Sequence, residues 1–218
     1  MTKPSARKRT SYHVGNLSER LMAEARSMLE TVGPAKLSIR AISEKLGVSA
    51  TAAYHHFSNR AALLSRLATL GFRELQQALL DNDQQIEQQG DHRRRLQNAS
   101  LAYLEFARAN PALYQLMFGP EIGLDASDEG FEKARLEAFG ELQKIIAASL
   151  NEPLESRTVR QASLAAWSHS HGLASLVIHK VVGFPEGMSS ERLVETSFQG
   201  FEHVFGRSGV PSLRVSDD

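Results

Sequence analysis

Ser38, Arg40, Ser49, Thr51, Tyr54, His55, His56 and Arg60 bring hydroxyl, imidazole and guanidinium groups into one short stretch of this chain. Such groups hydrogen-bond to phosphate oxygens and to the edges of bases. Interleaved with them are Ala50 and Ala52, whose small side chains let a helix backbone approach a base edge, while Ala and Thr methyls can touch a thymine methyl. Arg40 has the planar fork that matches guanine O6 and N7. A second group, His169 and His171, invites a metal reading. Residues two apart on a helix point about 200° apart, and Leu173 and Ser175 stand where a third ligand is needed, so no metal site is expected. A third group is aromatic and soft: Tyr103, Phe106, Tyr114, Met117, Phe118 and Trp167, with His171 on the same helical face as Trp167, Ala174 and Ile178. It either lines a ligand cavity or fills the core, and periodicity does not separate the two. No G-x-S-x-G, phosphate-binding G-x-x-x-x-G-K, G-x-G-x-x-G or H-E-x-x-H occurs, which argues against an enzyme and leaves no cofactor to expect.

The charge distribution says which of these groups faces a polyanion. The 218 residues have zero net charge, yet residues 1–75 hold 12 Lys+Arg against 5 acids, and the remainder 13 against 20. A basic N-terminal third joined to an acidic body points to nucleic acid as the partner of the first part alone. There is no cysteine, no secretory leader pattern and no apolar run near the 18 or so residues that span a membrane, so a cytoplasmic protein without a membrane partner is expected.

The elements that must position these groups are all helical, since period-2 alternation is absent. Leu17, Leu21, Ala25, Met28, Leu29 and Val32 mark one face of a first helix, with Asn16 as its cap, and Gly33-Pro34 ends it. Ser38 caps a short helix carrying Ile39, Ile42 and Leu46, which Gly47 closes. Ser49 caps another over Ala50 to Phe57, and Ser58 caps a long one with Leu63, Leu64, Leu67, Leu70, Leu75 and Leu79. The polar stretch 81–90 predicts the end of that helix. Further helices are predicted at 91–109, 111–118, 129–150, 155–182 and 189–205, with a loop over 119–128. Gly47-Val48-Ser49 is a helix-turn-helix link: glycine ends one helix sharply and serine starts the next. Ala166, Ser170, Val194, Phe198, Phe201 and Phe205, on the last two helices, offer small and aromatic faces for a dimer interface.

The segments Tyr12-His13-Val14-Gly15-Asn16-Leu17, Leu37 to Ser49, Tyr54-His55-His56-Phe57 and Arg60-Ala61-Ala62-Leu63-Leu64 resemble the DNA-binding domain of TetR-family regulators. Ala165 to Ala174, with Trp167 and His171-Gly172, resembles the Trp-His-Gly signature of one C-terminal subgroup. The resemblance implies an all-α fold of about nine helices, with a three-helix N-terminal domain and a larger ligand-binding and dimerisation domain. It divides the chain into a basic arm (1–14), a DNA-binding domain (15–75), a regulatory domain (76–206) and a tail (207–218). It implies DNA contacts at Ser38, Arg40, Ser49, Ala50, Thr51, Ala52, Tyr54, His55, His56 and Arg60, the last at a place commonly held by Lys. It also implies a homodimer on a palindromic double-stranded operator, acting as a repressor. A small-molecule effector is then expected among Tyr103, Phe106, Met117, Phe118, Trp167 and His171. The alternative is a DNA-bound dimer whose C-terminal domain binds a protein partner.

Overall fold

The computed structural model describes residues 17–86, 92–122, 129–183 and 187–205, and among these it contains helices and no strand. The basic arm, Asn16 and the tail lie outside the described residues. Helix α1 (Leu17–Val32) buries Leu21, Ala25 and Leu29. Gly33, at φ 76°, ends it in the left-handed region, its N–H reaching Leu29 O at 2.9 Å, as glycine commonly does at a helix C-terminus. Helix α2 (Ile39–Lys45) starts at Ser38, whose hydroxyl accepts from the Ala41 N–H at 3.2 Å. Gly47, at φ 66°, turns the chain, and Ser49 caps α3 (Ala50–Tyr54) by accepting from the Ala52 N–H at 3.1 Å.

Several boundaries differ from the sequence-based expectation. Helix α3 stops at Tyr54 rather than Phe57; His55 and His56 form a turn that brings Phe57, 2% exposed, into the core. Helix α4 (Arg60–Ile86) is capped by Asn59 in place of Ser58, the Asn59 Oδ1 accepting from the Ala62 N–H at 2.8 Å. It ends at Ile86, within the polar stretch expected to end it, after polar pairs on its last turns: Gln77 bonds Asp81 at 2.7 Å one turn on, and Asp83 holds Arg95 of the next helix. Helix α8 (Arg157–Ile178) starts after the Ser156 cap and ends before Val182, where Lys180 adopts φ 53°.

The remaining helices are α5 (His92–Ala109), α6 (Pro111–Phe118), α7 (Glu129–Leu150) and α9 (Ser190–Phe205). Helix α4 lies against α5, α6 and α7, while α5 also packs on α8 and α9. One apolar cluster runs through both halves, from Leu21 of α1 to Val194 of α9. The α4–α6 approach is close because position 71 has no side chain: a Cβ there would sit 2.5 Å from Met117 Sδ and 3.0 Å from Leu113 Cγ. Gly71→Val is therefore expected to cost about 1–3 kcal/mol through overpacking. Urea denaturation reads this directly, and an unchanged midpoint would mean that α6 does not seat on α4 in this way.

Candidate nucleic-acid interface

The helix-turn-helix presents its polar groups on one outer face. Arg40, Thr51, Tyr54 and His55 are exposed; Ser38, Ala50, Ala52 and His56 are half-buried; Ser49 is exposed, its hydroxyl in the cap. On the opposite side Ala53 is fully buried with Ile39, Ile42 and Phe57. Arg66 of α4 stacks its guanidinium 5.2 Å from the Phe57 ring centre, and Lys45 of α2 reaches Glu24 of α1 at 2.9 Å.

Arg60 has a role that motif reading missed. Its Nε donates to the Leu37 carbonyl at 3.0 Å and its Nη2 to the Pro34 carbonyl. The guanidinium thus ties the start of α4 to the segment before α2, bonding the Pro34 and Leu37 carbonyls at the two ends of the 3-10 turn Pro34–Lys36. The spacing of 23 and 26 residues leaves no local signal for this.

A second joint links this domain to the rest. The Glu30 carboxylate of α1 accepts from the N–H groups of Ala112 at 2.9 Å and Leu113 at 3.2 Å. These are two of the unpaired donors in the first turn of α6, where a negative charge is also favoured by the helix dipole. Arg26 holds that carboxylate at 2.7 Å and reaches Asn110 and, at 3.6 Å, Glu74. No sequence pattern foretold this contact across more than eighty residues.

Behind the joint lies an aromatic core. Tyr103 and Tyr114, 1% and 2% exposed, place their hydroxyls 3.1 and 2.9 Å from His171 Nδ1, and Tyr114 also donates to the His171 carbonyl at 3.1 Å. Burial pushes both phenols well above their usual range and lowers the His171 proton affinity. Around the imidazole, ring centres lie 5.4 Å apart for Tyr103 and Trp167, 4.5 Å for Phe118 and His171, and 5.4 Å for Phe72 and Phe118. These are ordinary separations for edge-to-face and tilted ring pairs.

Of the residues expected at an effector, the structure brings together Tyr103, Phe118, Trp167 and His171. Met117 lies against Gly71, and Phe106 lines a separate depression with Glu74, Ala78 and Glu105 between α4 and α5. The core is filled by its rings, and the open space lies beside it: a cleft of about 460 Å³ lined by Tyr114, Gln115, Phe118 to Glu121, His171, Ser175 and His179. Gln115, Glu121, Ser175 and His179 were not foreseen there, because polar residues in a loop and near helix ends give no periodic signal.

At the other side of α8, Phe198 and Phe201 stand with ring centres 4.9 Å from His169, whose proton affinity burial also lowers. His169 thus faces α9 while His171 faces α6, and among the described residues no group of three or more His, Cys, Asp or Glu is placed to hold a metal ion. Leu96, Leu142, Ile146, Ala166, Phe198 and Phe201 help line an apolar groove of about 280 Å³. Ser170 and Val194, expected at the dimer face, are buried within the chain, with Ser170 Oγ 2.9 Å from Ser100 Oγ. The Phe205 side chain lies outside the described residues.

A capped helix-turn-helix joined to a larger helical body is the architecture of a DNA-binding transcriptional regulator. Residues 21–67 match the family described as bacterial regulatory proteins, tetR family, and residues 96–199 match the tetracyclin repressor-like C-terminal domain. The chain belongs to the tetR family, and is a regulator rather than an enzyme. It is 27% identical over 186 residues to the nucleoid occlusion factor SlmA of Edwardsiella ictaluri (strain 93-146), covering 84% of this chain and 86% of that protein. A protein of unknown function from Rhodococcus sp. RHA1 superposes with a TM-score of 0.72 at 28% identity, over 90% of this chain and 98% of that one. A tetR-family regulatory protein from Rhodococcus RHA1 shares the fold at a TM-score of 0.59 and 18% identity, over 88% and 95% of the two chains. No helix among the described residues is long and apolar enough to cross a membrane.

Removing the Arg60 brace leaves two carbonyls without a charged donor, so Arg60→Ala should lose about 1.5–3 kcal/mol of stability. Lysine, with no fork, should recover only part. Urea midpoints test this, and a wild-type midpoint for Arg60→Ala would remove the brace. The salt dependence of DNA affinity reads any role at phosphate separately, its slope falling by about one unit for each phosphate no longer neutralised.

Proposed function

We propose that this regulator is a homodimeric repressor, released from a palindromic operator by a small-molecule effector. The observation that carries the proposal is the Glu30 joint, which seats α6 of the regulatory domain on α1 of the DNA-binding domain. A ligand that shifts α6 shifts α1 with it, and α1 packs against α2 and α3. In a dimer the two reading helices must stand one DNA turn apart, about 34–36 Å. A differential affinity of roughly 1–3 kcal/mol between two arrangements weakens DNA binding 5–150-fold.

On the DNA, Arg40 reads a base while Ser38, Ser49 and Tyr54 hold phosphates; Ala50, Thr51 and Ala52 keep the backbone close, and His55 and His56 stand beside them. Phe201 at 45%, Leu164 at 64% and Val204 at 64% exposure, together with the apolar groove, support pairing of α8 and α9 with their copies. The similarity to nucleoid occlusion factors favours a second reading, in which the DNA-bound dimer serves nucleoid occlusion rather than a single operator.

Two experiments test the proposal. Selection of bound sequences from a random DNA pool should recover a two-fold symmetric site. Arg40→Ala should lose preference at one position per half-site, a contact worth about 1–3 kcal/mol of discrimination. A consensus unchanged by that substitution makes Arg40 a phosphate contact only. Phe201→Asp puts a charge into the apolar face, and sedimentation should then find monomers with greatly weakened operator binding; a variant that stays dimeric puts the interface elsewhere.

A further inference from the structure

The cleft beside the aromatic core has a lining that selects by charge. Its walls include the rings of Phe118, Tyr114 and His171, the polar groups of Gln115 and Ser175, the imidazole of His179, and one carboxylate, Glu121; no lysine or arginine lines it among the described residues. We propose that it binds a cationic aromatic amine, with the ring against Phe118 and His171 and the ammonium at Glu121. This deepens the effector reading above and rests on it for any consequence at the DNA.

Three observations converge on that chemistry. Phe118 and His171 meet at a ring distance of 4.5 Å and a tilt of 59°. They form an apolar corner whose π faces attract a cation as well as a flat ring. His171 Nδ1 lies within hydrogen-bonding distance of the two tyrosine hydroxyls, and burial lowers its proton affinity, which disfavours a repelling charge at this corner. Helix α6 ends at Phe118, and the carbonyl end of its dipole points toward Gly119 and Glu121, adding a negative field to that of the carboxylate. An anionic ligand meets Glu121 and this helix end with no lysine or arginine among the lining residues to offset them. The volume, about 460 Å³, is that of a small-molecule site.

The chain supplies its own reporter. Trp167 is the one tryptophan, and its ring centre is 6.4 Å from that of Phe118. Phenethylamine, phenethyl alcohol and hydrocinnamate carry the same ring with positive, zero and negative charge, and each is titrated into the full chain while Trp167 fluorescence is followed. The amine should bind about tenfold more tightly than the alcohol, and the carboxylate more weakly than either. Glu121→Gln, isosteric and half-buried, should bring the amine to the alcohol's affinity and leave the alcohol unchanged. Phe118→Leu should weaken all three. Equal or tighter binding of the carboxylate, an amine affinity indifferent to Glu121→Gln, or no binding by any of the three at millimolar concentration overturns the proposal.

A parallel titration with fluorescently labelled operator keeps the two readings apart. An amine that binds through Glu121 but never releases DNA leaves the site standing and removes the effector reading. Release by hydrocinnamate alone, insensitive to Glu121, does the reverse.

Discussion

The DNA-facing end of this molecule is built around a helix too short to exist alone. Isolated helices below about 12–15 residues are marginal in water, and α3 has 5. Its first turn therefore depends on the Ser49 hydroxyl, its buried side on Ala53 alone, and its entry angle on a left-handed Gly47. Its exit is held by Phe57, drawn under Arg66, and by Arg60, which ties the next helix back to Pro34 and Leu37. With rigidity supplied from outside, α3 needs no apolar outward residue, and its exposed surface is free to be Thr51 and Tyr54.

Much of that frame was legible in the residues. Ser38 and Ser49 are caps by local chemistry, and Gly47 follows from the sharp turn between two apolar runs. What escaped were features decided by partners distant in sequence. Asn59 displaces Ser58 as the cap of α4 because the chain must first turn Phe57 inward, a tertiary demand that overrides two equally good capping residues. The end of helix α4 did fall in the polar stretch beyond Leu79, at Ile86, but the pairing of Asp83 with Arg95 of the next helix left no local signal. Arg60 and Glu30 look like ordinary surface charges until the fold brings carbonyls and helix-end amides against them.

The same limit applied to the regulatory half. Aromatic residues at helical spacing announced a cluster, and Tyr103, Phe118, Trp167 and His171 do meet. Whether such a cluster encloses space or fills it depends on helix spacing, which here is set by Gly71 against Met117 and by two phenols converging on one imidazole. Buried polar groups are costly unless paired, and this trio pairs internally across α5, α6 and α8. It fixes the three helices at one mutual setting where interchangeable apolar side chains would allow several.

Glu30 also bears on how far the two halves are separable. Repeated exchange of one DNA-binding module for another on a common regulatory body presupposes a seam that can be cut without loss. Here the seam is stitched by a side chain of one module serving as the terminal cap of a helix in the other, with Arg26 holding both. A graft that moved residues 17–67 alone would leave the first turn of α6 in this chain without its carboxylate and carry Glu30 away from the amides it serves. In this chain the two halves are therefore fitted to one another at the seam rather than freely exchangeable.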